Sequence, residues 1–174
     1  RLRHGHRRHL AGKARGQCRT QAVECGDLSV IDCDDPVVRV QHVDDGEIRA
    51  LKNVNAGVAH NPTSNLKLGA GIAPVARMLE LGLDVGIGTD GPASNNDLDM
   101  FEEMRLAALL AKGVSGDPTA LPARDAMSMA TRLGARALHL DRITGSLEPG
   151  KRADLIVIDL NQLHNVPAFD RDPN

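Results

Sequence analysis

From Pro36 onward, short β-branched runs alternate with stretches whose apolar residues recur at helical spacing. Residues 37–43 form a β-branched run that predicts a strand. Residues 44–53 predict a helix, with Asp44 or Asp45 at its N-cap and Ile48 and Leu51 on one face. Residues 57–59 predict a second strand, stopped by His60, Asn61 and Pro62. Residues 74–81 predict a helix with Val75, Met78, Leu79 and Leu81 inward and Gly82 just past its end. Residues 84–88 predict a third strand, closed by Thr89-Asp90-Gly91. Residues 98–112 predict a longer helix with Phe101, Met104, Ala108 and Ala111 on one face and Gly113 as its stop. A further helix is expected over 123–140, a turn-rich segment over 145–150, and a buried strand over 153–160. Residues 169–174 look like an interrupted element.

Strands alternating with helices point to parallel β/α units. Three such units fit less than half of an eight-stranded barrel, or a small doubly wound sheet. Before Pro36 the pattern disappears: Arg, His, Gly and Cys alternate without apolar periodicity. The pattern divides the chain into an unpatterned segment over 1–36 and β/α units after it.

Composition narrows the function. The 174 residues carry a formal net charge of −2, so no global attraction to nucleic acid or to a membrane surface follows. The first nineteen residues hold seven Lys and Arg and no acid, which reads either as a basic arm or as a disordered tail. No apolar run reaches the length of a membrane span, and no secretory h-region opens the chain. Cys18, Cys25 and Cys33 make neither a C-x-x-C pair nor a closed disulfide set, so a reduced, cytoplasmic setting is expected. With no Trp, no Tyr and two Phe, stacking platforms for single-stranded nucleic acid are not expected.

Asp90 is the leading candidate for chemistry. It follows a predicted strand end, the edge where β/α loops converge on one opening. A carboxylate there can hold a divalent ion or accept a proton from water. The competing reading is a plain Asp-Gly turn. His60, Asn61, Ser64 and Asn65 also follow a strand end; they line a pocket loop or hydrogen-bond their own loop. His4 and His6 are two apart, but the surrounding arginines oppose a cation site. Gly69-Ala70-Gly71 precedes no Gly-Lys-Ser/Thr, and Gly-x-Ser-x-Gly does not occur, so phosphate-loop and serine-hydrolase readings fall away.

Several motifs occur together in one order: HNPTSNLKLGAGIAP from His60, GTDGPASNN from Gly88, DMFEEMRLA from Asp99, GSLEPGKRADLIVID from Gly145 and LHNVPAF from Leu163. This series resembles the methylthioadenosine/S-adenosylhomocysteine deaminase group of the amidohydrolase superfamily, beside the triazine chlorohydrolases and guanine deaminases. The resemblance covers residues 44–169. It implies the C-terminal part of a (β/α)8 barrel, strands six to eight, as a partial barrel over 37–144, running into the truncated start of a small β domain over 145–174. It also implies a hydrolytic deaminase of a small purine-nucleoside derivative that uses Zn²⁺ or another divalent ion. Asp90 matches the strand-eight aspartate that binds metal, shuttles the water proton and contacts substrate. His60 matches a motif residue that is not a direct metal ligand.

The departures from the family pattern are as informative. The family carries a His-x-His pair on strand one, a His with a nearby Glu on strand five, and a His on strand six. Arg39 stands where the strand-six histidine is expected, and arginine cannot act as a neutral proton acceptor. Nothing in 1–36 matches the strand-five residues, which fits a shifted reading frame for that segment. The expectation is a chain that is inactive alone and associates with itself or with a complementing chain.

Overall fold

The computed structural model describes residues 37–38 and 42–159. Three strands, β1 (Val37–Val38), β2 (Gly57–His60) and β3 (Asp84–Ile87), lie parallel and in chain order. Parallel neighbours need crossover connections. Helix α1 (Asp45–Asn53) joins β1 to β2, and α2 (Pro62–Lys67) and α3 (Val75–Glu80) join β2 to β3. Helices α4 (Pro92–Asn95), α5 (Met100–Ser115), α6 (Ala123–Ala130) and α7 (Arg132–Ala137) follow β3. A doubly wound sheet reverses its strand order at a switch point. The described strands contain no reversal, as an arc of a barrel requires.

Strand alternation sorts the two faces of this sheet. Val58 and Val85 pair in register and join Ile48, Leu51, Val75, Met78 and Ala107 in one buried cluster. On the other face, α7 lies so close that a Cβ on Gly57 would sit 1.9 Å from the Ala137 carbonyl oxygen. A Cβ on Gly86 would sit 2.8 Å from the Gly134 Cα. Glycine is needed at these positions because backbone fills the space a side chain would take.

Local chemistry sets the helix ends. Asp44 is the N-cap of α1, and with Glu47 it completes a reciprocal capping box at 2.9 and 2.8 Å. That frees Asp45 to take the guanidinium of Arg77 on α3, which holds the Asp45 carboxyl below its usual range.

Several expectations are corrected. The helix begun near Leu98 does not stop at Gly113; it runs to Ser115 and ends at Gly116, which adopts the left-handed cap conformation at φ 67°. Its buried face is Glu103, Ala107 and Ala111, whereas Phe101 is 47 % exposed. The single helix expected over 123–140 is two, broken at Thr131, whose φ and ψ of −128° and −100° are not helical. Residues 62–67, read as loop, form α2, because Pro62 at the first turn presets helical φ. The buried strand expected over 153–160 is not formed over its described residues, 153–159. They pair with none of the three described strands, and Ile156 and Val157 are 73 and 91 % exposed. Residues 39–41, 1–36 and 160–174, with the expectations placed on them, lie outside the described residues.

Candidate active site

β2 and β3 end side by side, and the amide of Gly88 donates to the His60 carbonyl at 2.9 Å. The two segments that follow therefore start together. Each opens with a proline at the head of a short helix, Pro62 in α2 and Pro92 in α4. Ser64 and Ser94 occupy the same place, third residue of their helices. Both hydroxyls converge on one oxygen, Oδ2 of Asp90: Ser64 Oγ donates at 2.7 Å and Ser94 Oγ at 2.8 Å. Ser94 Oγ also lies 3.1 Å from the Gly91 carbonyl, but its single proton favours the shorter, charged acceptor.

Asp90 is half-buried and has φ 61°, in the left-handed region that aspartate tolerates better than most residues. The two serines fix its carboxylate by one edge. Asn61 is buried beside Gly88, where an added Cβ would stand 2.5 Å from the Asn61 Oδ1. Asn65 is buried in the same turn of chain.

His60 is placed differently. It shares a strand face with Val58, on the packed side of the sheet, and is 3 % exposed. Its Nδ1 is buried without a hydrogen-bond partner among the described residues. Burial pushes its pKa down to about 4, so the ring is neutral at ordinary pH. The structure thus brings Asp90 and Ser64 into contact, with Asn61 and Asn65 buried nearby, and sets His60 under the helices.

Two participants escaped the sequence reading. Ser94 is one. The other is Glu103 of α5, 1 % exposed, which accepts from the Thr63 amide at 3.1 Å and from Asn95 Nδ2. Its signal was present: Glu103, Ala107 and Ala111 fall four apart, placing an acid on an apolar face.

A profile of the amidohydrolase family matches residues 7–174. The chain belongs to the amidohydrolase family. This amidohydrolase is 55 % identical over 133 residues to the 5-methylthioadenosine/S-adenosylhomocysteine deaminase of Moorella thermoacetica, covering 76 % of this chain and 31 % of that protein. It is 48 % identical over 155 residues to the 5'-deoxyadenosine deaminase of Methanosarcina acetivorans, covering 89 and 35 % respectively. A crystal structure of an adenosine deaminase from Xanthomonas campestris with bound zinc superposes with a TM-score of 0.74 at 43 % identity, over 77 % of this chain and 31 % of that one. The chain thus spans about a third of the length of the relatives it matches.

The described residues have the amidohydrolase-family fold, with its mixed strands and helices. No helix among them is long and apolar enough to cross a membrane. Their donors do not suit a catalytic zinc ion, which takes about three protein ligands. No group of three His, Cys, Asp or Glu gathers among the described residues, and Asp90 Oδ2 already receives two hydroxyls.

Proposed function

We propose that this chain carries the Asp90 corner of a hydrolytic deaminase acting on amino-purine nucleosides of the S-adenosylhomocysteine or methylthioadenosine type. The carrying observation is the convergence of Ser64 and Ser94 on Asp90 at paired strand ends. It is joined to relatives named as deaminases of this substrate class. In hydrolytic deamination water adds to the amino-bearing ring carbon, the carbon keeps the oxygen, and ammonia leaves. Asp90 is the group suited to hold the proton that passes between water and leaving nitrogen. The serines keep its carboxylate from turning away while that proton is in transit.

The three strands are read as strands six to eight of the barrel, and 145–174 as the return into a small β domain. The Zn²⁺ of the intact enzyme needs donors beyond the described residues. Among the described residues Asp90 has no cluster of further donors beside it, and that count favours an inactive chain alone.

The test is a chimera. Residues 44–159 replace the matching part of the Moorella thermoacetica deaminase, and ammonia release from S-adenosylhomocysteine and methylthioadenosine is measured. The proposal expects turnover that falls at least ~100-fold on Asp90→Asn, the scale of a lost acid–base group. A folded chimera without turnover, or one indifferent to Asp90→Asn, overturns it.

A further inference from the structure

The hydrogen bonds around Asp90 and Glu103 close into a ring. Glu103 Oε2 accepts from the amide of Thr63, whose neighbour Ser64 donates to Asp90. Glu103 Oε1 accepts from the side chain of Asn95, whose neighbour Ser94 donates to Asp90. Two carboxylates thus face the same pair of chain segments, Asp90 from one side and Glu103 from the other. Glu103 is the more buried of the two and belongs to α5, a sixteen-residue helix anchored in the core by Ala107 and Ala111.

We propose that Glu103 is a positioning residue that fixes the carboxylate of Asp90 by holding Thr63–Ser64 and Ser94–Asn95 in register; its catalytic meaning rests on the deaminase reading above. The chemistry explains why an acid is buried here. α2 leaves its first amides without intrahelical partners, and Asn61 makes no side-chain cap. Glu103 supplies the missing acceptor from forty residues away. Its second oxygen meets an Asn95 whose own Oδ1 is already committed to the Leu98 amide at 2.9 Å. Asn95 must therefore present its NH₂ to position 103, and only a group with two acceptors satisfies both neighbours. A glutamine at 103 would set NH₂ against either Asn95 or the Thr63 amide. Turning the Asn95 amide over would relieve that clash and abandon Leu98.

The same logic gives a parity test. In Glu103→Gln combined with Asn95→Asp, the carboxylate moves to position 95. One aspartate oxygen then accepts from Leu98 and the other from the glutamine NH₂, while the glutamine carbonyl accepts from Thr63. Net charge and the number of bonds are unchanged.

The experiment is hydrogen exchange with mass spectrometry on the full chain, following peptides over 61–67 and 88–96. Glu103→Gln is expected to speed exchange in both peptides at least tenfold, the loss of about one hydrogen bond to a charged group. A core variant outside α1 and outside both peptides, Met78→Leu, matched for loss of melting temperature, is expected to leave the contrast between these peptides and α1 unchanged. The double variant is expected to return exchange to within about twofold of the original, set by the same bond count. Unchanged exchange in Glu103→Gln overturns the proposal, as does a double variant no better protected than the single one. If Glu103→Gln does not fold, refolding of the double variant supports the proposal and its failure overturns it. Because no turnover is read, the result is independent of the chimera assay.

Discussion

Ser64 Oγ and Asp90 Oδ2, twenty-six residues apart in the chain, sit 2.7 Å apart across the ends of two neighbouring strands. The contact follows from parallel register: His60 opposite Ile87 brings both strand exits to one level. A second hydroxyl, from Ser94, reaches the same oxygen. Removing either serine leaves the other in place, so the two are expected to compensate in part. Ser64→Ala and Ser94→Ala should each cost about 1–2 kcal/mol as single changes. The double variant should cost more than their sum, and a double-mutant cycle by urea denaturation reads the difference. Strict additivity would show that the two hydroxyls do not share one acceptor.

His60 predicts an acid-sensitive fold. Its pKa falls from 6.5 in the unfolded chain to about 4 when buried. Between those values the unfolded chain binds the proton and the folded chain does not. The stability is therefore fully present above pH 6.5 and is lost as pH falls toward 4, to a total on the order of 3 kcal/mol. His60→Gln should flatten the stability curve over that window. Equal slopes in the two proteins would contradict the burial argument.

Two glycines should respond oppositely to alanine. At Gly57 the new Cβ meets the Ala137 carbonyl at 1.9 Å, and backbone on both sides cannot yield cheaply. Gly57→Ala should cost more than ~2 kcal/mol, in the range of an overpacked core. Gly113 lies within α5 with nothing within 4 Å of a Cβ. Gly113→Ala should gain about 0.5–1 kcal/mol through helix propensity. Thermal melts of both variants check the pair.

The segment 155–158 is apolar on successive residues, and all four are exposed. An exposed apolar run that pairs with no described strand invites association with another chain. Size-exclusion chromatography with light scattering should show association that weakens on Val157→Lys. A monodisperse monomer whose size is unchanged by that substitution would refute the expectation.

The parts of the fold fixed by local chemistry were legible. β2 and β3 announce themselves as short apolar runs ended by His-Asn-Pro and Thr-Asp-Gly, and α1 by its Asp44–Glu47 box. The position of Asp90 was legible for the same reason, since its place after the end of β3 is a local fact. What escaped was decided at a distance. Pro62-Thr63-Ser64-Asn65 has poor helix propensity, and α2 is capped by Glu103 from α5. The role of Glu103 escaped because its partners come from two other segments. Gly113 looked like a helix stop because composition does not reveal which of two glycines turns left-handed. The strand expected near Ile156 failed for want of a described partner strand; apolar sequence alone does not pair.

Zinc titration of the purified chain, with bound metal counted after dialysis and ammonia release assayed on S-adenosylhomocysteine, tests the central proposal, that Asp90 is one corner of a site whose other donors are not among the described residues. The account predicts weak, non-stoichiometric zinc, unchanged by Asp90→Asn, and no turnover. One tightly held equivalent that disappears in Asp90→Asn, together with ammonia release, would contradict it.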